Sequence, residues 1–462
     1  VHAVDNKSSE IQANVPEITS MHDDQHPHSP GPWILLYEII FVLMAVTATL
    51  DRYNTRVSGF GLSIDRILLA VLLFFFPVYF MSRKSSFGSA QILAALGILS
   101  VFTSAWTGQG WNEAALEFGP SLIQCYILFA IGACVFKENP RAIRIFHWIA
   151  LAWAVIFVLF AVYALYWTYL KGIANYPYPF IGYIADYDPH KASMMYGQRL
   201  FMPFASAPHL GMATGAVALF FVARFMSDRK IITIPITIAM ASICILTLSR
   251  GPVLALLTTF FILLAFGRVY GIIRIDKRLL FLTLGLLVLT MGIYVFYSYQ
   301  IDVAGRSHMT RLVEHLDTLH YGRHISLRLE AIEMFMEGNL IEKIGGQGLG
   351  WFRETRPGAY SFASYLTLLA ETGIFGFLIF TIAAVLPIWR GWRTARKAQD
   401  SQPWYFYAFC LAIFVFSTHW FYELKTVRVT WIVHAFVFGI TATKLYLPED
   451  LKGDNRDEKR FL

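Results

Sequence analysis

The sequence predicts an all-α polytopic membrane protein of about twelve transmembrane helices with a large, partly helical exoplasmic (periplasmic) loop. Three observations carry this prediction. The chain of 462 residues is 56% hydrophobic and only 15% charged. Its apolar residues fall into many separate runs of about 17 residues or more, the length that a bilayer-spanning helix needs. One long polar stretch, residues 299–362, interrupts these runs.

The apolar runs define the predicted helices in order. They cover residues 33–50, 64–81, 89–106, 119–136, 145–170, 206–226, 231–248, 252–267, 279–298, 363–389, 404–421 and 429–446. Twelve spans place both ends of the chain on the same side of the membrane.

Basic residues in alternate short loops set the predicted orientation, because such residues favour the cytoplasmic side. These residues are Arg83, Lys84, Lys137, Arg141, Arg144, Arg229, Lys230, Arg268, Arg274, Lys277, Arg278, Arg390, Arg393, Arg396 and Lys397. The resulting division is a disordered cytoplasmic tail (1–32), helices 1–9 (33–298), a periplasmic loop (299–362), helices 10–12 (363–446) and a cytoplasmic tail (447–462).

The same placement accounts for much of the net charge of +7, so the charge does not indicate nucleic-acid binding. The four cysteines lie within apolar runs, which favours their role as small buried side chains over a disulfide framework or a zinc site. We expect no metal and no cofactor.

The long loop concentrates histidine and arginine. These residues are His308, His315, His320, His324, Arg306, Arg311, Arg323, Arg328, Arg353 and Arg356. Residues 325–337 have apolar side chains at helical spacing and predict an amphipathic helix that lies on the membrane or caps the bundle. The spacing of His320 and His324 puts both rings on one helix face, so three readings stay open: solvated histidines, a metal site, or a proton acceptor.

Two arginines lie at predicted exoplasmic ends of spans, where the topology rule disfavours them. Arg250 occupies a short turn, Ser249-Arg250-Gly251-Pro252, and Arg199 precedes another span. Each is either an anion ligand, whose planar fork suits a diphosphate, or a side chain that reaches lipid headgroups. Glu371 lies within an apolar run, and we expect it to face the bundle interior as part of an ion pair.

Three features resemble the superfamily of O-antigen ligases and O-antigen polymerases, which are multi-spanning glycosyltransferases. They are Arg199 followed by Pro208-His209, the Ser249-Arg250-Gly251 turn, and the long loop with Gly346-x-Gly348-x-Gly350 leading into Tyr365-Leu366 and Thr372-Gly373. The resemblance covers about residues 195–380 in its motifs and the whole chain in its topology.

The resemblance implies a metal-independent, inverting transfer at the periplasmic face of the bacterial inner membrane. Its donor is an oligosaccharide linked to a polyprenyl diphosphate, and its acceptor is a glycan or a lipid. Arg199, Arg250 and Arg328 are the predicted ligands of the diphosphate. The implied partners are membrane lipids and polysaccharide export machinery, with no nucleic acid.

The chain departs from the family pattern just before Tyr365. The family has a His-Asn or similar pair there, and this sequence has Phe362 and Ala363. We therefore consider His324, His320 and Glu330 as candidate catalytic groups. The expected function is polymerisation of a cell-surface polysaccharide. The alternatives are ligation of the glycan to a lipid acceptor and, from another class, a transporter or a non-catalytic component of an export complex.

Overall fold

A computed structural model describes residues 31–50, 64–83, 88–108, 110, 113–137, 139–166, 200, 203–204, 206–228, 230–247, 249–269, 285, 320–351, 364–398, 403–421 and 427–442. Within these ranges the chain forms α-helices and a short 3-10 turn, with no strand. The helices are α1 (Pro32–Thr47), α2 (Ile64–Ser82), α3 (Ser89–Thr107), α4 (Glu113–Val135), α5 (Asn139–Tyr166), α6 (Ala207–Asp228), α7 (Thr233–Leu246), α8 (Arg250–Val269), α9 (His320–Glu337), α10 (Leu340–Gly345), α11 (Ser364–Ala398), α12 (Pro403–Phe421) and α13 (Arg428–Ala442).

The all-α prediction is confirmed for the described residues. Seven helices, α1–α6 and α11, are long and apolar enough to cross a membrane, and α7, α8, α12 and α13 are shorter apolar helices. These eleven coincide with eleven of the twelve predicted runs, while the run at 279–298 lies outside the described residues except for residue 285. The predicted amphipathic helix at 325–337 is part of α9.

Helix α13 is the most enclosed element, since every side chain from Arg428 to Thr441 is buried. It packs against α4, α12, α11 and α5. The outer helices instead expose large apolar side chains, such as Phe74 on α2 and Phe261 on α8. Apolar surface of this extent is costly in water, whereas lipid accommodates it.

A buried carboxylate joins three helices at one end of the bundle. Glu38 of α1 accepts hydrogen bonds from Nε and Nη2 of Arg141 at 2.9 and 2.7 Å. Arg83, which directly follows α2, lies 3.6 Å from the same carboxylate. Since Arg141 lies in the first turn of α5, the start of α1, the end of α2 and the start of α5 are neighbours.

A second ion pair lies at the other end of α2. Because this helix has 19 residues, the second pair is about 27 Å from the Glu38 pair along the helix axis. Arg428, the first residue of α13, donates to the buried carboxylate of Asp65 in the first turn of α2. Its Nη2 also donates to Oε1 of Gln124 on α4 at 3.2 Å. Each of these buried charges therefore has a partner, as an apolar surrounding requires.

Candidate functional site

Helix α11 is interrupted at Gly373, which has φ 65° and ψ −171°. The ring centroids of Tyr365 and Phe380 lie 5.3 Å apart. In a straight helix their Cα atoms would be about 22 Å apart, because each residue advances the axis by about 1.5 Å. Residues 364–372, called the half-helix below, therefore fold back along the longer segment 374–398.

The glycine-rich segment 345–350 supplies donors to the broken end of the half-helix. The backbone N–H groups of Gln347 and Gly348 donate to the carbonyl oxygens of Ala370 and Glu371, each at 3.2 Å. The hydroxyl of Ser104 at the end of α3 also donates to the Glu371 carbonyl. Carbonyls at a helix C-terminus lack partners within the helix, so these contacts replace the hydrogen bonds that the interruption removes.

Close backbone approach explains why glycine occupies this junction. A Cβ on Gly346, which has φ 100°, would lie 2.1 Å from the Glu371 carbonyl oxygen. One on Gly373 would lie 2.4 Å from the Ile344 carbonyl oxygen. A side chain at either position would therefore force the two segments apart.

The N-terminal end of the half-helix meets two buried histidines. The hydroxyl oxygen of Ser364 lies 3.0 Å from Nδ1 of His419 on α12. The ring of His419 lies 5.3 Å from that of His434 on α13, measured between centroids. Within the described part of the chain, Nε2 of His419 and Nε2 of His434 have no hydrogen-bond partner. We call Ser364, His419 and His434 the Ser–His cluster.

An unpartnered buried nitrogen is costly, by about 1–3 kcal/mol for each group. Neutral imidazole has one donor and one acceptor nitrogen, and the Ser364 contact occupies Nδ1 of His419. His419 is fully buried, so its Nε2 meets only a hydroxyl group that enters the bundle, as a hydrogen-bond partner or as a proton acceptor.

The first turn of α8 lies at the same end of the bundle as the Ser–His cluster. Met212 of α6 contacts Thr430 of α13, with Sδ and Oγ1 3.9 Å apart. The neighbouring Gly211 faces Pro252 so closely that an added Cβ would lie 3.0 Å from the proline Cβ. Arg250, the first residue of α8, therefore begins its helix beside the start of α6, which itself contacts α13, and α8 also packs against α12, the helix of His419.

The structure describes the chain on one side of Arg199 only, and Arg199 itself and the Arg250 side chain lie outside the described residues. The backbone N–H of Leu200 donates to the carbonyl oxygen of Leu246 at 3.2 Å. This bond joins the residue after Arg199 to a residue four positions before Arg250. Nearby, Ser249 is buried, and its hydroxyl lacks a hydrogen-bond partner among the described residues.

The other predicted site residues belong to α9. The helix begins at His320, and the side chains of His320 and His324 lie outside the described residues. Arg328 and Glu330 are half-buried on the same helix.

Helix α9 is attached to the Gly373 end of the half-helix. Gln347 provides the link, because its Nε2 donates to the Met334 carbonyl oxygen at 2.8 Å while its backbone N–H binds Ala370. The Ser364 end is about 13 Å away along the half-helix axis. The described contacts thus bring α9 to the Gly373 end of the half-helix, called the tip below. They do not bring Arg328 or Glu330 to the Ser–His cluster.

Sequence reasoning missed the Ser–His cluster. The signal was available, because His419 and His434 are ionisable residues inside apolar runs, and such residues commonly serve a function in membrane proteins. The candidate catalytic histidines predicted from the sequence, His320 and His324, instead lie in the long loop. Among the described residues, no three histidine, cysteine, aspartate or glutamate side chains come together to hold a metal ion.

Comparison of the chain with protein-family models, with curated proteins and with solved structures found no match.

Proposed function

We propose that the chain is a membrane glycosyltransferase that acts on polyprenyl-diphosphate-linked glycans at the periplasmic face and polymerises a cell-surface polysaccharide. The observation that carries the proposal is the Ser364–His419 pair, whose free Nε2 lies at the end of the bundle where Arg250 begins α8. A proton acceptor and a diphosphate ligand on neighbouring elements are what this transfer needs.

The proposed topology has twelve spans in the bacterial inner membrane, both termini in the cytoplasm, and the loop 299–362 in the periplasm. The arrangement of charges supports it. Arg83 and Arg141, both assigned to cytoplasmic loops, meet at Glu38. Arg428, assigned to the opposite side, pairs with Asp65 at the other end of α2.

In the proposed reaction, an acceptor hydroxyl oxygen attacks the anomeric carbon of the donor sugar and forms the new glycosidic bond. The bond from that carbon to the diphosphate oxygen breaks, and the polyprenyl diphosphate leaves with the electron pair. Attack opposite the leaving group inverts the configuration. Guanidinium groups of Arg199 and Arg250 bind the diphosphate and stabilise its developing charge without a metal.

We assign the hydroxyl proton to Nε2 of His419. In this step the Nδ1–H of His419 donates to the hydroxyl oxygen of Ser364, so Nε2 carries the lone pair and has a fixed direction. His320, His324 and Glu330 are the competing candidates from the sequence, and their variants belong in the same experiment.

The test is complementation of a strain that lacks the gene, with the lipid-linked glycans as the readout. His419→Asn keeps an amide for Ser364 but lacks the proton acceptor at Nε2, and we expect activity to fall by about 10²-fold or more. Arg250→Ala should cost about 10²-fold or more. Arg250→Lys should also impair activity, because it keeps the charge and loses the fork.

His147→Asn is the matched control. The ring of His147 on α5 packs against Phe220 and Phe221 of α6, outside the Ser–His cluster. It should retain wild-type products. If the His419 and Arg250 variants accumulate to wild-type protein levels and also make wild-type glycan, the proposal is wrong.

The deletion strain distinguishes a polymerase from a ligase. Accumulation of single repeats in that strain identifies a polymerase, whereas intact unattached long chains identify a ligase.

A transporter, or a non-catalytic export component, is the second candidate, and the interruption of α11 favours it. Many transporters bind substrate at broken helices. Purified protein in lipid nanodiscs separates the two functions, because a nanodisc has no compartments. Elongation of a lipid-linked repeat unit there requires an enzyme, and a wild-type protein that leaves the repeat unit unchanged supports the transporter.

A further inference from the structure

Helices α9 and α10 expose large apolar side chains although their other sides pack against the bundle. These side chains are Leu329, Ile332, Met336, Leu340, Ile341 and Ile344. The three on α9 follow the spacing i, i+3, i+7, so they lie on one face of that helix. We call these six residues the apolar face.

The start of α10 is fixed by hydrogen bonds between its N-cap residue and its first turn. Asn339 caps the helix, with Oδ1 accepting from the N–H groups of Ile341 at 2.9 Å and Glu342 at 3.0 Å. Oε2 of Glu342 accepts in return from the N–H of Asn339 at 2.9 Å. This capping box fixes the residue at which α10 begins, and Leu340 and Ile341 in its first turn are exposed.

Helix α10 sits at the end of α3. A Cβ on Gly345 would lie 2.6 Å from Cγ2 of Thr107, so no side chain fits between the two helices. Helix α10 also packs against α11. The hydroxyl of Thr107 donates a hydrogen bond to the carbonyl oxygen of Gly346 at 2.8 Å. The apolar face is therefore attached to two of the helices that are long enough to span a membrane.

The exposed apolar surface of those helices continues to the apolar face. On α3, Phe102 is 50% exposed and Trp106 is 90% exposed, next to the contact with α10. On α11, Ile374 and Leu378 are exposed just beyond Gly373. Tryptophan at the end of a span is typical of the membrane–water boundary.

We propose that the apolar face binds the lipid surface, with α9 and α10 lying along the headgroup–acyl boundary at this end of the bundle. The depth of such helices is about 5–10 Å into the boundary. Exposed Glu333 and Glu337 of α9 remain on the aqueous side. This inference is independent of the reaction proposed above, because it concerns the placement of the loop helices and not their chemistry.

The proposal adds a physical link between the lipid and the interior of the bundle. Gln347 joins Met334 of α9 to Ala370 of the half-helix. The half-helix in turn carries Ser364, the partner of His419. Gln347 thus connects α9 to the half-helix, in addition to the direct packing of α9 against α11.

Spin labels at single introduced cysteines test the placement, using full-length protein in nanodiscs of phosphatidylethanolamine and phosphatidylglycerol. Ile341→Cys and Met336→Cys carry the label on the apolar face, and Glu337→Cys is the matched control, because its exposed side chain lies on a different face of α9. The native cysteines Cys125, Cys134, Cys244 and Cys410 are buried and should not react. Relaxation by oxygen and by a water-soluble nickel chelate reports the depth.

We expect labels on the apolar face to respond to oxygen at least several-fold more than to the chelate, and the Glu337 label to show the opposite. Equal access of the chelate to all three positions overturns the proposal and places the face in water. Protection from both agents, with broadening between labels on separate copies, also overturns it and identifies an interface between two chains.

Discussion

At the scale of single residues, the shape of α11 depends on backbone space that only glycine leaves. At Gly346 and Gly373 two segments approach so closely that carbonyl oxygens lie 2.1 and 2.4 Å from the positions that Cβ atoms would take. The conformation of Gly346, with φ 100° and ψ 164°, lies in a region that is essentially restricted to glycine. Both the contact and the conformation therefore oppose any side chain at this position.

Gly346→Ala should destabilise the junction by about 1–3 kcal/mol from the backbone conformation, with a further cost from the contact with Glu371. Thermal unfolding of the purified protein in detergent measures the loss as a lower midpoint temperature. Gly31→Ala is the control, because no atom lies within 4 Å of the position that its Cβ would take. An unchanged midpoint for Gly346→Ala would show that the two segments do not meet as described.

The Ser364–His419 contact shows where residue-level prediction stops. The two residues are 55 positions apart, and each is ordinary in its local sequence. Their contact depends on the reversal at Gly373, which depends in turn on donors from residues 347 and 348. The motifs around Gly346 and Thr372-Gly373 are recognisable in the sequence, but their pairing is not a property of either motif.

At the scale of helices, Glu38 joins α1 to α2 and α5 with unequal partners. Arg141 makes two hydrogen bonds to the carboxylate, the shorter at 2.7 Å, whereas Arg83 lies at 3.6 Å. Arg141→Met should therefore lower the free energy of unfolding by up to about 3 kcal/mol, since it leaves a buried carboxylate poorly paired. Arg83→Met should cost about 1 kcal/mol or less.

Thermal unfolding of both variants provides the comparison. Glu38→Gln combined with Arg141→Met should recover part of the loss, because the double variant removes the buried carboxylate charge together with its main partner, while Arg83 keeps its contact with the ring of Tyr79. Equal destabilisation by the two arginine variants, or no recovery in the double variant, would contradict the assigned geometry.

The positions of the helices were predictable because apolar length is a local property of the sequence. Helix α11 shows the limit of that signal. The apolar run ends at residue 389, yet the helix continues to Ala398 through charged residues. Arg390 explains part of the extension, because its guanidinium lies over the ring of Phe438 at 5.2 Å and donates to Ser89 at 3.1 Å.

At the scale of the whole molecule, the proposed orientation assigns opposite sides to two exposed positions. A cysteine at Glu337 should react with an impermeant maleimide in cells with a permeabilised outer membrane. A cysteine at Lys230 should react only after lysis. Both side chains are exposed, so the difference reports the side of the membrane and not burial.

A reporter fused after Leu451 supplies the matching control, since it should be active only as a cytoplasmic fusion. Labelling at Lys230 in intact cells, with protection at Glu337, would reverse the orientation. Labelling of both positions in intact cells would mean that the loops do not alternate as the basic residues predict.

The broken α11 also has a consequence for the order in which the chain is made. A ribosome delivers residues 347 and 348 before residues 370 and 371, so the donors for the tip are already present when the half-helix emerges. Ser364 must then wait until α12 has been synthesised before His419 can reach it. The contacts at the Gly373 end therefore become possible before the Ser–His cluster, and truncation before residue 419 removes the histidine partner of Ser364 while the Tyr365–Phe380 contact remains.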